Sequence, residues 1–70
     1  MTWNEIKLNL KRLDNFEIAN KFRSFIYEKE KLKISDATIG NWAAGRFNPS
    51  GQYTLLLKEF FEKMEKNEIV

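Results

Sequence analysis

Apolar residues recur every three or four positions through most of this chain, a spacing that predicts amphipathic helices. The first helix should begin just after Thr2, because Thr2 and Glu5 have the spacing of a capping box. In such a box the hydroxyl caps the helix and the carboxylate reaches back to the capping residue. No stretch alternates with a period of two for long enough to predict a strand. The inward face of this first helix would carry Trp3, Ile6, Leu10 and Leu13.

A second helix is predicted from Asn15 to about Lys31, because Asp14 and Glu17 repeat the capping pattern. Its exact end is left open, since residues 28–31 are all charged and show no apolar periodicity. The inward stripe comprises Phe16, Ala19, Phe22 and Ile26, widened by Ile18 and Phe25.

A third helix is predicted over about 35–45. Ser35 is a candidate N-cap, and Gly45 suits the left-handed position that ends a helix. Ile39 and Trp42 lie three residues apart on one face, so we expect both in the core.

The single proline, Pro49, separates the third helix from a last one over about 51–66. Leu55 and Phe61 fall outside the main apolar stripe of this last helix, so more than half of its circumference is apolar. The stripe itself comprises Tyr53, Leu56, Leu57, Phe60 and Met64. The sequence therefore predicts an all-α fold, a compact bundle of four to five short helices in a single domain over residues 1–70.

Composition excludes several classes of function. Without cysteine the chain has no disulfide framework and no thiolate zinc site, and without histidine it lacks the commonest general base. We therefore expect no enzyme, no catalytic residues, no metal and no cofactor. No apolar run approaches the roughly 18 residues of a membrane span, and the N-terminus has no apolar signal core. These features predict a cytoplasmic protein with no membrane partner.

Positive charge is concentrated in the middle of the chain, although the net charge of the whole is only +2. Residues 21–49 carry six basic and three acidic residues, whereas residues 50–70 carry three basic and four acidic ones. A basic middle is typical of proteins that bind polyanions. Lysine-rich helix faces that are merely solvated produce the same asymmetry.

The segment from Ile34 to Ser50 carries the most specific pattern in the chain. Its defining positions are Ile34, Ser35, Thr38, Ile39, Trp42, Gly45, Pro49 and Ser50. In this arrangement the segment resembles the helix-turn-helix of the lambda-repressor-like DNA-binding domains, the Cro, repressor and XRE-type proteins. The resemblance implies a small repressor-like transcription regulator, from a phage or a bacterium. Such a protein would bind double-stranded DNA sequence-specifically, with the helix over 35–45 in the major groove.

The resemblance also implies which residues contact DNA. Asn41 would read adenine through two hydrogen bonds, and Arg46 would reach a phosphate or a guanine. Lysines near the turn would hold the DNA backbone. The full set of expected DNA-binding residues is Ser35, Asp36, Ala37, Thr38, Gly40, Asn41, Ala44, Arg46, Lys29, Lys31 and Lys33.

One feature departs from the family's pattern. The helix before the turn usually carries a small residue four positions before a glycine, but counting back in register places Lys29 and Lys33 there. Alternatively, Ala19 is the counterpart of the small residue. The segment from Arg23 to Lys33 would then be either an insertion or an extension of the second helix.

A second hypothesis is a protein-interaction module built on the same scaffold, such as a phage-encoded inhibitor of a host protein. Small residues at Ala37, Gly40, Ala43 and Ala44 would let a partner helix approach the outward face of the third helix closely. Loss of binding on mutation of Lys31 and Arg46 would favour DNA over protein as the partner.

A homodimer is expected together with the DNA-binding function. One module of this kind buries only about 600–1,000 Å² of protein surface on DNA, and a symmetric second copy doubles that area. The expected dimer interface comprises Leu55, Phe61 and Ile69.

Overall fold

Four α-helices and one 3₁₀ helix are found in residues 1–68, the part of the chain that this computed structural model describes. No β-strand occurs within this part, so the predicted all-α bundle of four to five short helices is confirmed. The helices are α1 (Trp3–Asn9), the 3₁₀ helix (Leu10–Asp14), α2 (Phe16–Glu30), α3 (Asp36–Ala43) and α4 (Gln52–Glu65).

The first helix begins with the predicted capping box. The hydroxyl of Thr2 accepts a hydrogen bond from the N–H of Glu5 at 3.3 Å, and the Glu5 carboxylate accepts one from the N–H of Thr2 at 3.2 Å. The α-helix ends at Asn9, however, and the chain tightens there into the 3₁₀ helix. Three of the four predicted inward residues are buried, namely Ile6, Leu10 and Leu13.

The second helix starts one residue later than predicted and ends at Glu30, the third of the four charged residues. The Asn15 side chain, rather than that of Asp14, caps it by accepting from two N–H groups of the first turn at 2.9 and 3.2 Å. At the other end Lys31 has a φ of 57°, in the left-handed conformation that glycine adopts most readily. The helix is therefore continuous from Arg23 to Glu30.

The core combines aliphatic side chains with a cluster of phenylalanine rings. Phe60 of α4 is fully buried and lies at its centre, with ring-centroid distances of 5.2 Å to Phe22, 5.7 Å to Phe25 and 5.5 Å to Phe61. Such edge-to-face and tilted contacts suit the charge distribution of aromatic rings. The buried residues of the core are Ile6, Leu10, Leu13, Phe22, Ile26, Ile39, Trp42, Leu56, Leu57, Phe60 and Phe61.

Two aromatic residues predicted to face inward do not. Phe16 is 78% exposed and Trp3 is 36% exposed. Each is the first residue of its helix. A helical side chain points toward the N-terminus and packs over the preceding turn of its helix. The first residue of a helix has no such turn, so its side chain extends beyond the end of the helix. Correct periodicity is therefore not sufficient to bury these two rings.

The third helix packs chiefly against the 3₁₀ helix. Ile39 and Trp42 are both buried, as predicted, and the Trp42 ring lies 5.3 Å from that of Tyr53 at the start of α4. Two neighbouring elements therefore fix one side of α3. The positions on its other side are left partly or fully exposed.

None of the helices within residues 1–68 combines the length and apolar content needed to cross a bilayer. In the same part of the chain, no three acidic side chains come together as potential ligands of a metal ion.

Two carboxylates make stability sensitive to acid. The pKa of Glu5 lies below its ordinary value of 4.5 because the backbone N–H and the hydroxyl of Thr2 donate to it. The pKa of Glu62 is lowered mainly by a hydrogen bond from the ammonium group of Met1 at 2.9 Å. Carboxylates with lowered pKa values stabilise the folded state above the unfolded pKa, and this stabilisation is lost as the pH falls through the folded pKa.

The free energy of unfolding should therefore decline as the pH falls below about 4.5. The double variant E5Q/E62Q should show a shallower decline, because neither amide takes up a proton. Urea unfolding at a series of pH values measures this. An equally steep decline in both proteins would assign the acid sensitivity to other groups.

Candidate nucleic-acid interface

The start of α3 is organised by its own hydroxyl groups. The Oγ of Ser35 accepts a hydrogen bond from the N–H of Thr38 at 3.2 Å. The two hydroxyl oxygens, Oγ of Ser35 and Oγ1 of Thr38, lie 2.9 Å apart. Ser35 is thus the N-cap, as predicted. Both hydroxyls already have a partner within the protein, so their first role is to fix the helix start.

The acidic residue of this first turn is neutralised by a neighbour. Asp36 forms an ion pair with Arg23 of α2, and its side chain remains 89% exposed. A carboxylate is also favourable at this end of a helix, where the helix dipole is positive. The pair links α2 to α3 and reduces the repulsion that Asp36 would exert on an approaching polyanion.

The outward face of α3 is narrow and almost free of large side chains. Four positions share this face because they are spaced three, one and three residues apart, namely Ala37, Gly40, Asn41 and Ala44. Ala37 and Ala44 are exposed, and the other two are partly so. A partner could therefore come close to the backbone of this helix.

Gly40→Ala should stabilise the isolated protein by about 0.5–1 kcal/mol, because glycine within a helix costs conformational entropy. A Cβ atom added at Gly40 would meet no heavy atom within 4 Å, so no packing penalty offsets the gain. Thermal or urea unfolding measures the change. A destabilised variant would contradict the open space around Gly40.

The end of α3 is closed by a Schellman motif. Gly45 has a φ of 77°, its N–H donates to the carbonyl of Trp42, and the N–H of Arg46 donates to the carbonyl of Asn41. The predicted left-handed stop at Gly45 is therefore confirmed. The same motif brings two polar side chains together: the Oδ1 of Asn41 accepts from the Nε of Arg46 at 2.8 Å.

Two lysines that the sequence did not single out border the same end of α3. Lys7 and Lys11 line a shallow depression together with residues 43–45 and Asn48. They are four residues apart, and both are exposed. Their spacing indicates a shared face, and the depression that they line places this face beside the end of α3.

A second pair of lysines lies before the start of α3. The Nζ atoms of Lys31 and Lys33 lie 5.1 and 5.9 Å from the centre of the Tyr27 ring, within the range of cation–π attraction. Lys33 also lines a depression with Arg23, the partner of Asp36. This pair was among the expected DNA-binding residues.

Lys29, which the sequence grouped with that pair, has a different environment. It forms an ion pair with Glu59 of α4 and lies 5.8 Å from the centre of the Phe25 ring. The structure therefore directs Lys29 toward α4 and leaves only Lys31 and Lys33 together.

The residues of the expected dimer interface differ in their exposure. Phe61 is fully buried in the core, which contradicts its assignment to a surface, because α4 packs against both α1 and α2 and so buries more than one stripe. Leu55 is 70% exposed and is available to a partner. Ile69 lies outside the described residues.

The candidate interface therefore consists of the outward face of α3, the Asn41–Arg46 contact and the two lysine pairs, Lys7–Lys11 and Lys31–Lys33. Comparisons with protein-family models, with curated proteins and with solved structures found no match to this chain.

Proposed function

We propose that this protein binds double-stranded DNA sequence-specifically and acts as a small repressor-like transcription regulator of a phage or a bacterium. The observation that carries the proposal is that lysine pairs from two separate parts of the chain border the two ends of α3. Lys31 and Lys33 come just before the helix, and Lys7 and Lys11 lie beside its end.

The dimensions of α3 suit the major groove. An α-helix with its side chains is about 10–12 Å across, and the major groove of B-DNA is about 12 Å wide. A helix placed in the groove would bring the lysine pairs toward the phosphates on either side. The small side chains at Ala37, Gly40 and Ala44 would let it enter deeply.

The lysines and the polar side chains of this surface would have different roles in DNA binding. Lysines at the ends of α3 supply sequence-independent attraction to phosphates, whereas the polar side chains on its face can contact base edges. The Arg23–Asp36 ion pair keeps the one acidic residue of α3 from repelling the DNA.

Titration of fluorescently labelled duplex DNA tests the proposal. Nonspecific binding in the range of about 10⁻⁴ to 10⁻⁶ M is expected near physiological salt. It should strengthen as the salt is lowered, and a selected sequence should bind more tightly. Absence of any binding to duplex DNA at low salt would exclude the function.

The flat face of α3 also suits a protein partner, which is the alternative function. Ala37 and Ala44 are exposed, and Phe47, just beyond the helix, is 64% exposed. A protein docked on this apolar surface would depend on Phe47 more than on the lysine pairs. Its affinity should respond weakly to salt, in contrast to DNA binding.

A further inference from the structure

We infer that Arg46 reads a guanine in the major groove and that Asn41 positions it, so that Asn41 does not read adenine itself. This inference rests on the proposed DNA-binding function and specifies the base that the site selects. It follows from the contact between the two side chains and from the backbone that holds them.

The backbone fixes Arg46 relative to α3 although it lies beyond the end of the helix. Its N–H donates to the carbonyl of Asn41 at 2.9 Å, and that of Gly45 donates to the carbonyl of Trp42 at 3.1 Å. In this motif the residue three positions before the cap and the second residue after it lie side by side, and they are usually apolar. Here these two positions hold a polar pair, Asn41 and Arg46.

The side-chain contact determines which N–H donors of Arg46 remain available to bind a base. Its Nε–H is engaged by the Oδ1 of Asn41 at 2.8 Å. Within residues 1–68 neither Nη group has a hydrogen-bond or ion-pair partner, and the residue is exposed. The two Nη groups form the end of a planar fork, which matches the O6 and N7 acceptors of guanine.

The same contact removes Asn41 from direct readout of adenine. To pair with adenine, an asparagine must offer its oxygen to N6 and its amide N–H to N7 at the same time. The oxygen of Asn41 already faces the Nε of Arg46. Asn41 therefore acts as a positioning residue that reduces the freedom of a long, flexible side chain before DNA binds.

The first test uses modified bases in a duplex selected from a random-sequence pool. Inosine keeps O6 and N7 but lacks the minor-groove amino group, whereas 7-deazaguanine lacks the N7 acceptor. One guanine of the selected site should tolerate inosine and lose affinity with 7-deazaguanine, within the about 5- to 150-fold range of a bidentate base contact. If every guanine tolerates 7-deazaguanine, the inference is wrong.

The second test identifies the residue responsible. Arg46→Lys keeps the charge but not the planar fork, so the guanine preference should weaken while nonspecific binding is largely retained. Asn41→Ala should weaken the preference for the same base pair. The matched control is Asn20→Ala, an exposed residue of α2 without a hydrogen bond, which should change neither. Circular dichroism verifies that each variant is folded.

The outcomes separate this inference from the proposed function. If Asn41→Ala relaxes an adenine position and leaves the guanine preference intact, Asn41 is itself a base reader and the inference is overturned. A uniform loss of affinity for all sequences in Arg46→Lys would assign Arg46 to a phosphate and also overturn it. In both cases DNA binding stands. If no duplex is enriched from the pool, the proposed function fails as well.

Discussion

Phe60→Ala is expected to destabilise the protein by about 3–5 kcal/mol, the usual cost of removing a buried phenyl ring. The ring is fully buried and contacts three other aromatic rings, those of Phe22, Phe25 and Phe61. At roughly 0.05–0.15 kcal/mol per residue, a chain of 70 residues has only about 4–10 kcal/mol of stability in total. The variant should therefore lose between about a third and all of this stability.

Urea unfolding followed by circular dichroism measures this loss. Leu55→Ala is the matched control, because Leu55 lies on the same helix and is 70% exposed. Its substitution should change the free energy of unfolding by less than about 0.5 kcal/mol. Similar effects of the two substitutions would contradict a core in which Phe60 is buried and Leu55 is exposed.

Neutralising both lysine pairs, in the variant K7Q/K11Q/K31Q/K33Q, should nearly abolish DNA binding near physiological salt. Each phosphate contact contributes about −0.9 to the slope of log K against log salt concentration. Four lost contacts make the slope shallower by roughly 3.6, which corresponds to a loss on the order of 10³-fold at about 0.1 M salt. Fluorescence anisotropy of a labelled duplex over a range of salt concentrations measures both quantities.

The control replaces two exposed lysines of the C-terminal region, in the variant K58Q/K66Q. It removes positive charge but leaves the surroundings of α3 unchanged, and it should therefore keep nearly the full slope. If both variants lose affinity equally, binding depends on net charge and not on the placement of the lysine pairs. The double variants K7Q/K11Q and K31Q/K33Q, measured separately, should each show about half of the change in slope of the quadruple variant.

Much of the fold could be predicted because its determinants are local. The capping box at Thr2, the N-cap at Ser35 and the left-handed Gly45 each depend on residues within one helical turn. The same holds for the burial of Ile39 and Trp42, which follows from their spacing. Where a signal lies within a few residues, the sequence alone specifies the structure.

Some features could not be predicted, and the burial of Phe61 depends on residues distant in sequence. Phe61 lies outside the main stripe of α4, but it is buried because the first two α-helices both pack against this helix. Phe16 has the right periodicity but stands at a helix start and is exposed. The change from α1 to a 3₁₀ helix at Leu10 has no marker in the sequence that we can identify.

In the candidate site, too, features with local determinants could be predicted and those that depend on distant residues could not. Asn41, Gly45 and Arg46 lie within six consecutive positions, and a helix-stop pattern places them in one motif. Lys7 and Lys11 are more than thirty positions from the residues they border, so the net charge of segments could not reveal them. The ion pair of Lys29 could not be predicted, because its partner, Glu59, belongs to another helix.

Nuclear magnetic resonance with duplex DNA tests most directly whether α3 and its two lysine pairs form the DNA-binding surface. Amide spectra are recorded as a labelled protein is titrated with a duplex at low salt. We expect the largest shift changes in α3, at Arg46 and around both lysine pairs, and little change in the amides of α4 near Lys58. Changes concentrated on α4, or no changes at all, would contradict this expectation.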